Sequence, residues 1–118
     1  MAITFIKVKV RNPGRRRAAR TFNFLVDSGA IYTVIPSDQL KALGIRPTSH
    51  EEFMLADGET LRMAVGNAEF EYHKKQRAAP VIFGKEGVYL LGATTLEALG
   101  LMLDPIHREL KPLPMLLM

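Results

Sequence analysis

Phe24-Leu25-Val26-Asp27-Ser28-Gly29-Ala30-Ile31-Tyr32-Thr33-Val34-Ile35-Pro36 decides how this chain is read. An apolar run carries a lone acid into a turn, and a second, β-branched run leaves it. A carboxyl set beside apolar strands is costly unless it is paired or hydrogen-bonded, so an acid placed here is a candidate for chemistry. Asp-Ser-Gly is also an ordinary turn, because Asp and Ser bond nearby backbone and Gly accepts positive φ. Both readings are open on these residues alone.

Upstream, Ile3 to Val10 alternates: Ile6, Val8 and Val10 share one face, Lys7 and Lys9 the other. That period of two predicts a half-buried strand. Asn12-Pro13-Gly14 is turn punctuation. Arg11 and then Arg15 to Arg20 crowd one segment, which reads as a basic loop between two strands. Such a loop is either a solvated turn or a short nucleic-acid contact. It has no interleaved aromatics for base stacking, so the solvated turn is preferred. Thr21 to Val26 is a second strand, with Phe22, Phe24 and Val26 on one face, and it delivers Asp27.

Downstream, Tyr32 to Ile35 is a third strand. Pro36 stops it, Ser37 is placed to cap a short helix over Asp38 to Leu43, and Gly44 ends that helix. Glu51 to Phe70 reads as a long hairpin with Asp57-Gly58 as a two-residue turn. Gly66-Asn67 predicts another turn, and Ala68 to Lys74 alternates again. Pro80 to Gly84 and Val88 to Gly92 are short apolar strands. Ala93 to Gly100 is a short helix with Leu96 and Leu99 inward, and Asp104-Pro105 is a turn. Glu109 to Met118 reads as a proline-interrupted extended tail suited to lie along a partner. Leu40-Lys41-Ala42-Leu43-Gly44-Ile45 is echoed by Leu96-Glu97-Ala98-Leu99-Gly100-Leu101, which suggests two similar halves.

The length of 118 residues suits a single domain, 1–118. A hydrophobic content of 47% and a charged content of 24% predict a folded soluble protein, mildly basic at +4. There is no cysteine, which excludes disulfides and thiolate metal sites and suits a reducing compartment. Lys7 and Lys9 interrupt the only apolar run near the start that resembles a signal sequence. No apolar run approaches the roughly 18 residues of a membrane span. The expectation is a cytoplasmic protein with no membrane association. His50, His73 and His107 are not spaced with other ligands, so the expectation is surface histidines, no metal and no cofactor.

Taken together, the hydrophobic lead into Asp27-Ser28-Gly29-Ala30, the β-branched strand, the hairpin, and Leu90-Leu91-Gly92 before a short helix follow the order of the retroviral-type aspartic proteases. The chain resembles the small cellular, prokaryotic members of that group, from about Ile3 to Pro105. The resemblance implies an all-β fold with one or two short helices: a closed, retropepsin-like β-barrel (acid protease fold) with a flap hairpin. It implies an aspartic endopeptidase in which two carboxyls share a proton and hold the attacking water. Only one Asp-Ser-Gly is present, and the chain is too short for two lobes. The second carboxyl must then come from a second copy, across a homodimer axis.

By the same resemblance, Asp27 is the acid and base, Ser28 braces the two loops across the axis, and Gly29 permits the turn and bonds the carboxylates. Ala30 lines the floor. Met54 to Leu61 forms the flap, so that Met54, Leu55, Ala56, Asp57 and Gly58 meet an extended peptide or protein substrate. Leu90, Leu91 and Gly92 support the loop from behind, and the chain ends, including Leu113 to Met118, build the dimer sheet. The chain departs from the viral pattern at the flap tip, Ala56-Asp57-Gly58-Glu59, which is more acidic. It departs again at Ile31 and Tyr32, where many viral enzymes carry an acid. Two other classes stand beside this reading. One is a catalytically silent dimeric peptide- or protein-binding domain of the same fold. The other is a nucleic-acid-binding β domain using Arg15 to Arg20, the less expected of the two.

Overall fold

The computed structural model describes residues 3–104 and 106–114. Strands β1 (Phe5–Asn12) and β2 (Arg15–Val26) form the first hairpin, and β3 (Thr33–Pro36) leads into helix α1 (Ser37–Ala42). Then come β4 (Ser49–Met54), β5 (Thr60–Tyr72), β6 (Lys75–Gly84), β7 (Leu90–Leu91) and helix α2 (Ala93–Ala98). A hairpin of β8 (Leu101–Asp104) and β9 (Glu109–Pro112) closes the described chain.

The main sheet runs β1-β2-β7-β3-β6-β5-β4, and β1 also pairs with β5. That pairing, Lys9 with Glu71, Val10 with Phe70 and Arg11 with Glu69, closes every strand of this sheet but β4 into a ring. The ring is the expected barrel. β4 hangs outside it on β5, and the β4–β5 hairpin is the flap. Alternation fills the interior: Val8, Val10, Phe24, Phe70, Val81 and Ile35 are fully buried. Truncating Phe24 or Phe70 to alanine should cost about 3–5 kcal/mol.

The two sequence halves are two structural halves. β1, β2, β3 and α1 have the same order and pairing as β5, β6, β7 and α2. Each half begins with an antiparallel hairpin. Each then sends its third strand across to lie parallel to the other half: β7 beside β2, β3 beside β6. β3 and β7 meet antiparallel at Val34 and Leu90, on the pseudo-twofold. Each half ends in a helix of 6 residues. Helices this short do not hold alone in water. The repeated Leu-x-x-Leu stripe docks them, with Leu40, Leu43, Leu96 and Leu99 all buried.

Several local expectations change. Arg15 to Arg20 is strand, not loop, and the turn is confined to residues 13–14. Two of the arginines are held by acids from the other half: Arg11 to Glu71 at 2.9 Å and Arg16 to Glu69 at 3.1 Å. Gly66-Asn67 makes no turn, because β5 runs straight through it. A Cβ at Gly66 would stand 2.9 Å from the Arg46 carbonyl and 3.0 Å from the Phe83 ring, so this glycine serves close packing. Ser37 does not cap α1; Pro36, with extended backbone, takes that position. The strand expected over Val88 to Gly92 shortens to Leu90–Leu91. Residues 109–112 of the expected tail fold back on β8 as a hairpin, and Leu113 extends it with a bond to the Gly100 carbonyl. Residues 115–118 lie outside the described residues. No helix among the described residues is long and apolar enough to cross a membrane.

Candidate active site

The chain leaves β2 at Val26 and turns through Asp27-Ser28-Gly29-Ala30, closed by the Ala30 N–H on the Asp27 carbonyl at 3.1 Å. The Gly29 N–H donates to Asp27 Oδ1 at 3.0 Å. A Cβ on Gly29 would lie 3.3 Å from that oxygen, so glycine leaves the carboxyl uncrowded. Asp27 is half-buried, while Ser28 and Gly29 are exposed. The turn is pinned on both sides: the Asp27 N–H donates to the Leu91 carbonyl at 3.0 Å, and the Val26 N–H to Thr4 at 2.8 Å.

Leu90, Leu91 and Gly92 lie directly behind this loop. Leu90 and Leu91 pair in parallel with Leu25 and Val26. Gly92 presses on the loop so closely that a Cβ would stand 2.6 Å from the Tyr32 carbonyl and 3.0 Å from the Ala30 oxygen. The first N–H groups of a helix have no partner within it. Here those of α2 hold the loop: Ala93 N–H to the Ala30 carbonyl at 2.7 Å and Thr94 N–H to Ile31 at 2.9 Å.

Beneath that contact lie two residues that the sequence analysis did not single out. Thr33 Oγ1 and Thr95 Oγ1 are 2.6 Å apart, both fully buried. Thr33 Oγ1 also accepts the Gly92 N–H at 3.0 Å. A threonine at an inward position of an otherwise apolar strand was the available signal, but its partner is 62 residues away.

In front of the loop runs a groove of about 610 Å³. Gly29, Ala30 and Tyr32 form its floor, and Met54, Leu55, Leu61 and Met63 come from the flap. The Tyr32 and Phe53 rings meet edge to face at 5.9 Å and tie the flap to the floor. Met54 is 77% exposed, an apolar side chain with nothing over it in the single chain. The flap turn is longer than two residues, since strand pairing ends at Met54 with Thr60. Its tip is closed by Gly58 N–H to Leu55 at 2.9 Å and Leu55 N–H to Glu59 at 2.7 Å, with Gly58 at φ 89°. Ala56, Asp57 and Gly58 form that tip and do not line the groove. On the other side of the loop, Ser28 borders a smaller hollow of about 360 Å³ with Leu96, Leu101, Leu103 and Leu113.

One histidine is not the lone surface residue expected. His107 Nδ1 lies 2.6 Å from Asp104 Oδ2, and Lys111 Nζ lies 2.7 Å from the same oxygen. These two partners, with the Ile106 and His107 N–H groups on Oδ1, hold the Asp104 carboxyl well below the usual carboxylate range. Asp104, His107 and Glu109 stand close enough to share a metal ion. Lys111 already supplies a cation at Asp104, so the cluster fits a clasp for the β8–β9 hairpin better than a metal site.

Residues 6–95 match the sequence model of a family described as aspartyl protease. No curated protein matches the chain. Among solved structures, the EIAV protease complexed with the inhibitor HBY-793 is similar over 83% of this chain and 88% of its own, with a TM-score of 0.62 and 15% identity. The solution structure of simian foamy virus (mac) protease is similar over 78% of this chain and 92% of its own, with a TM-score of 0.53 and 18% identity. A foamy viral protease-reverse transcriptase in complex with RNA/DNA hybrid covers 98% of this chain with 13% of its own, at a TM-score of 0.61 and 16% identity. These likenesses carry the fold, and the family match carries the membership: the chain belongs to the aspartyl protease family and has the retropepsin-like fold.

Proposed function

We propose that this protein is an aspartic endopeptidase, one domain per chain, that works as a homodimer with a single site built from two copies of Asp27. The observation that carries the reading is a pinned Asp27-Ser28-Gly29 turn beside a groove roofed by a hairpin. One carboxyl per chain is the second support. The pseudo-twofold places residues 85–88 opposite the Asp27 turn, closed by Val88 N–H to Lys85 at 3.2 Å. That turn reads Lys85-Glu86-Gly87, with no Asp-Ser-Gly. A second copy on a twofold axis supplies the missing group, because such an axis sets the same residue opposite itself.

In this mechanism one Asp27 carboxylate removes a proton from a water held between the pair. The other, protonated, polarises the scissile carbonyl. Water oxygen bonds to the carbonyl carbon, and the proton passes on to the leaving nitrogen as the peptide C–N bond breaks. Carboxyls about 3 Å apart share one proton and titrate as a pair, as aspartic proteases generally do. The Gly29 N–H supports the ionised oxygen. Ser28 braces the two turns across the axis, and Ala30 lines the floor. The substrate lies extended between floor and flap, adding a strand. Met54 and Leu55 meet its side chains, the Ala56-Asp57-Gly58 tip closes over it, and closure excludes water. Leu90, Leu91 and Gly92 keep the turn from receding. No cysteine chemistry is at stake, and we place the protein in the cytoplasm.

The test is digestion of a mixed peptide library from about pH 4 to 8, because the mechanism needs one carboxyl of the pair ionised and the other protonated. Asp27→Asn serves as the control, and both proteins are sized. Cleavage by the parent dimer, strongest in acid and absent in Asp27→Asn, is the expected result. Peptide binding without cleavage by a folded parent dimer overturns the enzyme and leaves a binding domain of the same fold.

A further inference from the structure

The wall of the groove carries a charge with no counterion among the described residues. Directly opposed residues of an antiparallel pair share a face. In the flap, Glu51 opposes Met63 and Phe53 opposes Leu61. Phe53 packs on Tyr32, which marks this as the face turned toward the Asp27 turn. Glu51 is therefore a half-buried carboxylate on the face it shares with Phe53, Leu61 and Met63, and it borders the groove. The Ser49 hydroxyl donates to it at 3.2 Å. No lysine, arginine or histidine among the described residues comes within salt-bridge distance of it. Glu52 borders the groove as well, but it is directly opposed across the hairpin by Arg62. The first strand and tip of the flap, ahead of Arg62 on the second strand, repeat the pattern. Residues 49–60 hold Glu51, Glu52, Asp57 and Glu59 and neither lysine nor arginine, in a protein of net charge +4.

We propose that Glu51 is a specificity residue, selecting peptides that carry lysine or arginine beside bulky apolar residues. The inference rests on the groove being the peptide site and names what that site prefers. A basic side chain brings the cation that Glu51 lacks and an apolar stem to lie on Met63 and Phe53. A charge-assisted hydrogen bond then forms in a partly desolvated wall, where it is stronger than in water. An acidic side chain at the same place meets a like charge and is rejected. The exposed Ile31, Met54, Leu55 and Leu61 supply the apolar surface on either side.

The probes are fluorescein-labelled octapeptides with a central Leu-Phe bond, alanine elsewhere, and one position at a time set to Lys, Gln or Glu. Cleavage is followed at about pH 6, above the ordinary carboxylate range. At the position facing Glu51, kcat/KM should fall about five-fold from Lys to Gln and further to Glu, with the difference shrinking in high salt. Glu51→Gln should level the series, and Glu51→Lys should invert it. Thermal unfolding of both variants checks that they fold. Equal handling of Lys and Glu peptides by the parent, or an unchanged order in Glu51→Lys, overturns the inference. Anisotropy of the same peptides separates the two claims. Binding that favours Lys and inverts in Glu51→Lys, without cleavage, supports Glu51 and sinks the endopeptidase. Absence of both binding and cleavage sinks the two together.

Discussion

The hydroxyls of Thr33 and Thr95 face each other at 2.6 Å in the core, and the pair joins the strand after the Asp27 turn to the helix behind it. The Gly92 N–H, at 3.0 Å from Thr33 Oγ1, completes the link. The turn is thereby fixed through buried polar groups, where losing one partner costs more than the bond contributes. Thr33→Val strands both the Gly92 N–H and the Thr95 hydroxyl and should cost about 1–3 kcal/mol. Thr95→Val costs less, because Gly92 keeps its acceptor. The double variant should cost less than the sum, with a coupling of about 0.5 kcal/mol or more. Urea unfolding of the four proteins measures this, and strict additivity would remove the pair.

Gly92→Ala should disturb the site more than its one methyl group suggests. The added carbon would stand 2.6 Å from Tyr32 backbone atoms, which cannot swing aside as a side-chain end can. The loop and α2 must separate, at about 1–3 kcal/mol or more, with loss of cleavage beyond the loss of folded protein. Gly14→Ala is the control, since its nearest contact is an ordinary 3.6 Å. Equal effects from the two substitutions would show that Gly92 is not a packing constraint.

Dimerisation should be obligatory for activity. With one Asp-Ser-Gly per chain, a monomer would hold half of the carboxyl pair that the proposed mechanism needs. Specific activity should fall on dilution through the range where sedimentation shows dissociation, since no covalent link joins the copies. Activity that stays constant in a proven monomer would require another source for the second carboxyl.

The β8–β9 hairpin should be clasped best in mild acid. The hydrogen bond to Asp104 raises His107 above its ordinary 6.5, so its stabilising share is complete below that pH and is lost as pH rises through the raised value. Asp104, held down first by Lys111 and then by His107, contributes above its ordinary 3.8 and loses its share only in stronger acid. Lys111 is raised by Asp104 and holds until pH rises beyond its ordinary 10.5. The carboxylate is covered by its own hairpin rather than by the core, so salt should weaken the clasp. His107→Gln should be less stable than the parent near pH 5 and equal to it near pH 9, by thermal unfolding at low salt. A gap that widens with pH would reverse the assignment.

Much of this was legible along the chain. Period-two runs marked β1, the second half of β2 and the strand after Gly66, and the repeated Leu-x-x-Leu-Gly marked both helices. Those signals are local, because each element buries one face and its spacing records which. The Asp27 turn was legible for the same reason: a lone acid between apolar strands has few uses. The missed elements depended on distant partners. Arg15 to Arg20 looked like a loop because consecutive charges hide a strand's period; it is a strand because β1 pairs with it and Glu69 meets Arg16. Gly66 looked like a turn because glycine permits one; it lies mid-strand because Arg46 and Phe83 leave no room for a Cβ.

Order of elements, turn chemistry and core faces are thus written in nearest neighbours and periodicity, and they were enough to assign the fold class. Closure of the ring by β1 and β5, the Thr33–Thr95 link and the glycine contact behind Asp27 are not written that way. Each joins groups whose pairing is free energy of proximity. A polar side chain far along the chain is silent about its partner until the sheet brings the two within hydrogen-bond reach.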